Sequence, residues 1–145
     1  MPVPFSGGCS CGAIRYTCNE EPFVTYLCYC TECQKRTGSA FGISILVPPE
    51  GFQLDKGTPK TRERVADSGN VITFHFCDDC GTSVFGDNSA RAQARWVSGG
   101  TLDDPSWVQP QANTWTDSAP SWVRMDETLE CFTKVPDFSK YFAGR

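Results

Sequence analysis

The sequence predicts a mostly β chain with metal-binding cysteines placed where strands meet turns. Three observations carry that prediction. Glycine and proline, 13 and 10 of the 145 residues, recur at short intervals and cut the chain into brief extended stretches. Those stretches alternate apolar and polar residues or run β-branched and aromatic, and helical periodicity is scarce. Seven of the nine cysteines gather in three tight motifs, each at a predicted turn.

The elements follow in order. Ala13–Thr17 alternates and reads as a strand. Phe23–Cys28 is β-branched and aromatic and runs as a second strand into a cysteine motif. Ala40–Val47 is a third, stopped by Pro48 and Pro49. Lys60–Arg64 and Val71–Phe76 form a fourth and fifth, and Thr82–Phe85 and Arg95–Ser98 follow. Helix is confined to a turn or two at Thr31–Thr37 and at Pro136–Phe142, where Asp137 or Ser139 can cap the second. Asp103-Asp-Pro-Ser106 is a turn or a short helical start.

Length and charge narrow the function classes. A chain of 145 residues fits one domain, taken here as 1–145, long enough to bury its own core. The formal net charge of -4, with no run of Lys or Arg, argues against nucleic acid as a partner. No apolar stretch approaches the roughly 20 residues of a membrane span, so no membrane partner is expected. Met1-Pro-Val-Pro-Phe-Ser lacks the basic and long apolar regions of a signal peptide, which points to the cytosol.

An odd number of cysteines with no export signal argues against a disulfide framework. Cys9 and Cys11, like Cys28 and Cys30, are one residue apart. A disulfide there closes a small strained ring, whereas two thiolates converging on one metal ion meet no such constraint. Metal binding is therefore the leading reading. Cys9-x-Cys11-Gly12 and Cys77-x-x-Cys80-Gly81 each look like a zinc knuckle, two thiolates on a tight turn followed by glycine. Together they offer the four ligands of a closed structural zinc site. Cys28-x-Cys30-x-x-Cys33 offers three thiolates, and three protein ligands with one open position mark a catalytic zinc. Two alternatives stand beside this reading. The second site can be structural, completed by Cys18, Cys131 or His75, or the motifs can combine differently, as Cys9 and Cys11 with Cys30 and Cys33.

Outside the motifs, Cys18 and Cys131 read as buried core thiols. His75 reads as a half-buried strand residue facing with Val71, Thr73 and Cys77. Trp96, Trp107, Trp115 and Trp122 read mainly as packing residues. Lys35 and Arg36 directly follow the second cluster and are placed to meet an anionic substrate.

The cysteine motifs in this order resemble the glutathione-dependent formaldehyde-activating enzyme family, which includes the centromere protein V domain. The matching residues are Gly7-Gly-Cys9-Ser-Cys11-Gly12, then Cys28-Tyr-Cys30-Thr-Glu-Cys33 through Phe41, then Phe76-Cys77-Asp-Asp-Cys80-Gly-Thr82. Gly100–Asp104, Trp115 and Pro120-Ser-Trp122 add to the resemblance. It implies a β-tent fold of small antiparallel sheets pinned by a structural zinc on Cys9, Cys11, Cys77 and Cys80. It also implies a second, catalytic zinc on Cys28, Cys30 and Cys33, and carbon–sulfur lyase chemistry that joins glutathione and formaldehyde as S-hydroxymethylglutathione. One residue departs from the family pattern: Tyr29 stands where the family often has histidine, which removes an imidazole from beside the zinc.

The expected function is thus a zinc-dependent carbon–sulfur lyase acting on a small thiol or thiol–aldehyde adduct, with two Zn2+ ions as cofactors. Lys35, Arg36 and Trp115 are the candidate substrate-binding residues. Two rival classes remain: a protein-binding module in which both zincs are structural, and a thiol-redox enzyme using Cys77 and Cys80. The second lacks the βαβ pattern that a thioredoxin-like site needs.

Overall fold

Short amphipathic strands cannot bury a face alone, and here they do so by layering two sheets. The computed structural model describes residues 2–145. A small antiparallel sheet contains β1 (Phe5–Gly8), β2 (Arg15–Cys18) and β5 (Phe52–Lys56), in the order β1-β2-β5. The larger sheet begins with β3 (Val24–Cys28) and β4 (Gly42–Val47). It continues with β6 (Lys60–Val65), β7 (Val71–Phe76), β8 (Ser83–Asn88) and β9 (Arg95–Ser98). The short strands β10 (Ala112–Thr114) and β11 (Glu130–Cys131) complete it, in the order β11-β10-β3-β4-β9-β8-β7-β6. β10 pairs in parallel with both β3 and β11, and the other neighbours are antiparallel. Two helices, α1 (Thr31–Thr37) and α2 (Ser139–Phe142), interrupt the β structure. The mostly β class is borne out, with one small antiparallel sheet and one larger mixed sheet.

Alternation along the strands gives the larger sheet two apolar faces. One packs Ile45, Val47, Phe85 and Val97 against Phe5, Tyr16 and Cys18 of the small sheet. The other packs Val24, Leu46, Phe74 and Trp96 against Phe138 and the partly buried Tyr141 and Phe142 of the C-terminal segment. A half-buried polar group ties three strands of the larger sheet. Asp87 accepts hydrogen bonds from the His75 ring at 3.1 Å and from Arg95 Nε at 2.8 Å. Burial works to raise the Asp87 pKa, but those two hydrogen-bonded partners outweigh it and hold the carboxyl down to about 2.

The structure corrects several local expectations. The second helix is shorter than 136–142, although the Asp137 carboxylate does accept from the Ser139 amide at 3.0 Å. The first predicted strand starts at Arg15 rather than Ala13, because Ala13 still belongs to the turn after Cys11. Cys18 is buried as expected, but Cys131 is exposed, because it lies on the sheet's two-residue edge strand. Trp96 is buried, whereas Trp122 is 70% exposed in a loop that no strand covers.

Candidate metal centres

The first cluster joins the two sheets. Cys9 follows β1 and Cys77 follows β7, so each knuckle grows from a strand end. Each turn closes by a hydrogen bond from its glycine amide, over three residues in the first knuckle and four in the second. The Gly12 amide donates to the Cys9 carbonyl at 3.1 Å, and the Gly81 amide to the Cys77 carbonyl at 2.8 Å. Gly12 and Gly81 have φ of 81° and 80°, a left-handed conformation that a side chain would strain. The turns bring the Sγ atoms of Cys9, Cys11, Cys77 and Cys80 within 4.8 Å of one another. Cys11 Sγ lies 3.7 Å from both Cys9 Sγ and Cys77 Sγ. A tetrahedral zinc with Zn–S bonds of about 2.3 Å sets its sulfurs about 3.8 Å apart, so this donor set fits such an ion. Donors already favour the ionised sulfurs. The Ile14 amide donates to Cys9 Sγ at 3.2 Å, and Thr82 Oγ1 lies 3.2 Å from Cys80 Sγ. The Thr82 hydroxyl and amide hold the Cys80 thiol down to about 5.

The second cluster is local. Cys28 ends β3, where it sits opposite Gly42 of β4 and Thr114 of β10. Cys30 is the N-cap of α1, and its sulfur accepts from the Cys33 amide at 3.3 Å. Cys33 lies in the helix's first turn. The three Sγ atoms fall within 4.8 Å of one another. Hydrogen bonds from Cys28 and then Cys33 hold the Cys30 thiol pKa down to about 2, whereas Cys28 and then Cys30 push that of Cys33 up. One sulfur therefore ionises well before its neighbours, and a bound cation favours the ionisation of all three. A seven-residue helix is marginal by itself. Gln34 anchors this one by donating from Nε2 to the Tyr29 carbonyl at 2.7 Å and the Ser118 carbonyl at 3.0 Å. Gly42 leaves room for the cluster, since a Cβ there would stand 3.5 Å from Cys33 Sγ and 3.3 Å from Arg36 Nη2.

The two clusters can hold metal ions, and their sulfur ligands are compatible with zinc. Among the described residues, no fourth protein ligand joins Cys28, Cys30 and Cys33. Cys18 packs in the core between the sheets, Cys131 is exposed, and His75 binds Asp87 and stacks on Phe85. Cys9 and Cys11 group with Cys77 and Cys80, not with Cys30 and Cys33.

A family described as glutathione-dependent formaldehyde-activating enzyme matches residues 4–118. The chain belongs to this family. Curated relatives include two fungal proteins that carry its name provisionally. The one from Penicillium rubens is 29% identical over 116 residues, covering 74% of this chain and 59% of its own length. The one from Talaromyces marneffei is 25% identical over 115 residues, covering 74% of this chain and 60% of its own length. This chain thus spans about three-fifths of those family members. A crystal structure of a Rhodobacter sphaeroides protein shares the fold, with a TM-score of 0.52 at 18% identity over 72% of this chain and 91% of that one.

The remaining residues singled out in this family member sit at different distances from the second cluster. Arg36 is half-buried, and its Nη2 lies 3.7 Å from Cys33 Sγ. Lys35 is exposed on the outer side of α1 and makes no ion pair among the described residues. Trp115 follows Thr114, the register partner of Cys28, and holds a left-handed φ of 55°, uncommon for a bulky residue. Tyr29 is buried against the Phe41 ring, and burial pushes its phenol pKa up. It does not replace an imidazole as a base. Sequence reasoning assigned no role to Gln34 or Thr82. Thr82 alone carried a signal, as the last residue of the Cys80-Gly-Thr motif.

Proposed function

We propose that residues 1–145 form one zinc-binding domain and act as a zinc-dependent carbon–sulfur lyase on a small thiol–aldehyde adduct. Glutathione with formaldehyde, giving S-hydroxymethylglutathione, is the pair suggested by the family. The observation that carries this reading is the inequality of the clusters. Four sulfurs converge in one and three in the other, and Arg36, whose Nη2 lies 3.7 Å from Cys33 Sγ, also lines a cleft.

Cys28, Cys30 and Cys33 would hold the zinc ion, which would favour a substrate thiol in its thiolate form. The chain's own residues orient that thiol and steady its charge. In the joining direction the substrate sulfur attacks the aldehyde carbon and a C–S bond forms. The C=O π pair moves to oxygen, which takes a proton from solvent. Cleavage is the reverse. The Arg36 guanidinium stabilises negative charge. Lys35 extends the positive field at the end of α1, and Trp115, next to the Thr114 that pairs with Cys28, is the aromatic candidate to meet the substrate. Tyr29, buried and protonated, packs against Phe41 and takes no part in proton transfer.

Cobalt-substituted protein titrated with glutathione and with mercaptoethanol tests the reading. A new sulfur-to-cobalt absorption that saturates with either thiol is expected. No change with any thiol would contradict it and favour a protein-binding module with two structural zincs.

A further inference from the structure

The cleft that Arg36 lines has two unlike halves. Arg36, Thr37, Ser83 and Ser98 line one, with a volume of about 310 Å3. Leu27, Pro105, Val108 and Pro110 line the other, of about 480 Å3. Phe41, Ile43, Gly99 and Gly100 belong to both, so the halves adjoin along these residues. Together they have the size of a small-molecule site.

The polar half is built for one negative charge. The Arg36 guanidinium is half-buried, and its recorded contacts are Cys33 Sγ at 3.7 Å and the Phe74 ring at 5.4 Å. No carboxylate lies within ion-pair distance of it among the described residues. A partly desolvated guanidinium with spare N–H groups favours a carboxylate. The Ser83 and Ser98 hydroxyls are buried without a hydrogen-bond partner, a state that folded proteins rarely leave unrelieved. Rotation about χ1 moves a serine hydroxyl between staggered positions, which lets it serve a bound oxygen. The other half offers only apolar side chains. Lys35, the neighbouring cation, does not line either half.

We infer that the cleft selects a small substrate thiol with a single carboxylate and a short apolar body, in preference to glutathione. Glutathione brings two carboxylates, an ammonium group and two polar amides, whereas this cleft has one guanidinium and an apolar wall. The inference rests on the proposed function for the sulfur, but the carboxylate and apolar contacts stand apart from it.

The test uses zinc-loaded protein and three probes: butyrate, 4-mercaptobutyrate and glutathione. Amide shifts of Gly99 and Gly100 are expected to move saturably with butyrate. Arg36→Met should weaken that binding about tenfold, the size of a charge-assisted contact in a partly dry site, and Arg36→Lys should restore part of it. Gly100→Leu should block it without unfolding, since a Cβ at Gly100 meets nothing within 4 Å. Ser98→Ala should fold normally and weaken butyrate several-fold. By calorimetry, 4-mercaptobutyrate should bind at least about tenfold more tightly than glutathione. Butyrate that fails to saturate, or that ignores both Arg36→Met and Gly100→Leu, would overturn the inference, as would glutathione binding more tightly than 4-mercaptobutyrate. Butyrate that binds as described while 4-mercaptobutyrate binds no better would instead overturn the sulfur-binding reading and leave the carboxylate site standing.

Discussion

The two cysteine clusters use the same ligand chemistry and hang on the fold in opposite ways. The first draws its sulfurs from segments 66 residues apart and fastens the small sheet to the end of β7. The second draws all of its sulfurs from the stretch between the end of β3 and the first turn of α1. Closing a long loop carries a large entropic cost, so a metal that clamps it contributes more to folding than one that clamps six residues. Local donors reflect the same division. The sulfurs of the first cluster meet the Ile14 amide and the Thr82 hydroxyl, whereas those of the second meet the Cys33 amide and the Arg36 guanidinium, which also lines a cleft. The proposed function assigns a structural role to the site that fastens distant segments and a chemical one to the locally built, three-sulfur site.

Removal of single ligands puts that contrast under the greatest strain. Cys80→Ser or Cys9→Ser should leave the chain unfolded, because structural zinc binding supplies on the order of 10 kcal/mol, comparable to the whole stability of a domain. Cys30→Ser should remain folded with one zinc. Circular dichroism melts with metal analysis check this, and equal unfolding in both variants would erase the distinction between the clusters.

Stepwise chelation should separate the same two sites in the unaltered protein. The first equivalent of zinc is expected to leave with the near-ultraviolet signal kept, and the second with its collapse. A single release that coincides with unfolding would show the sites to be equivalent.

A substitution beside one cluster should affect that cluster alone. Gly42→Val presses a branched side chain toward Cys33 Sγ and Arg36 Nη2. It should cost about 1–3 kcal/mol of stability from overpacking and weaken thiol binding, with the four-sulfur site still fully loaded. Loss of metal from Cys9, Cys11, Cys77 and Cys80 in this variant would mean that the clusters are coupled.

The smallest effect belongs to a polar group in contact with neither cluster. The Asp87 carboxyl is held down to about 2 in the folded chain, against about 3.9 unfolded. Its contribution is therefore complete above about pH 4 and lost as the pH falls through about 2. Its side chain is 39% exposed, so screening reduces the contribution to roughly 1 kcal/mol. Asp87→Asn should lower stability by about that amount at pH 7, and the gap to the parent should close toward pH 2. A loss as large as that from Cys80→Ser would contradict the ranking.

Both clusters were legible in the sequence because thiolate spacing is itself a geometric statement. Cys9-x-Cys11-Gly12 and Cys77-x-x-Cys80-Gly81 dictate tight turns, and tight turns aim their sulfurs together. Val71–Phe76, Arg95–Ser98 and Thr31–Thr37 matched their predicted limits, since each is bounded by a glycine, a cysteine turn or both. β10 and β11 were illegible, because three and two residues are too few to show a period and their pairing is parallel and long-range. Phe52–Lys56 was missed for another reason. Its residues do alternate, Phe52 and Leu54 with Gln53 and Asp55, but the stretch stands just after Pro48, Pro49 and Gly51, which read as a loop. The cleft could not be read either, since Arg36, Ser83 and Ser98 meet only after α1, β8 and β9 have been assembled around β4.

Sulfur counting at the metal tests the central contrast most directly. X-ray absorption at the zinc edge of the fully loaded protein should give an average of about 3.5 sulfurs per zinc, from one four-sulfur and one three-sulfur site, with a light-atom ligand making up the remainder. Saturating mercaptoethanol should raise that average to about 4 as its sulfur enters the second site. An average of about 4 before any thiol is added, unchanged afterwards, would mean two closed sites and would contradict the account.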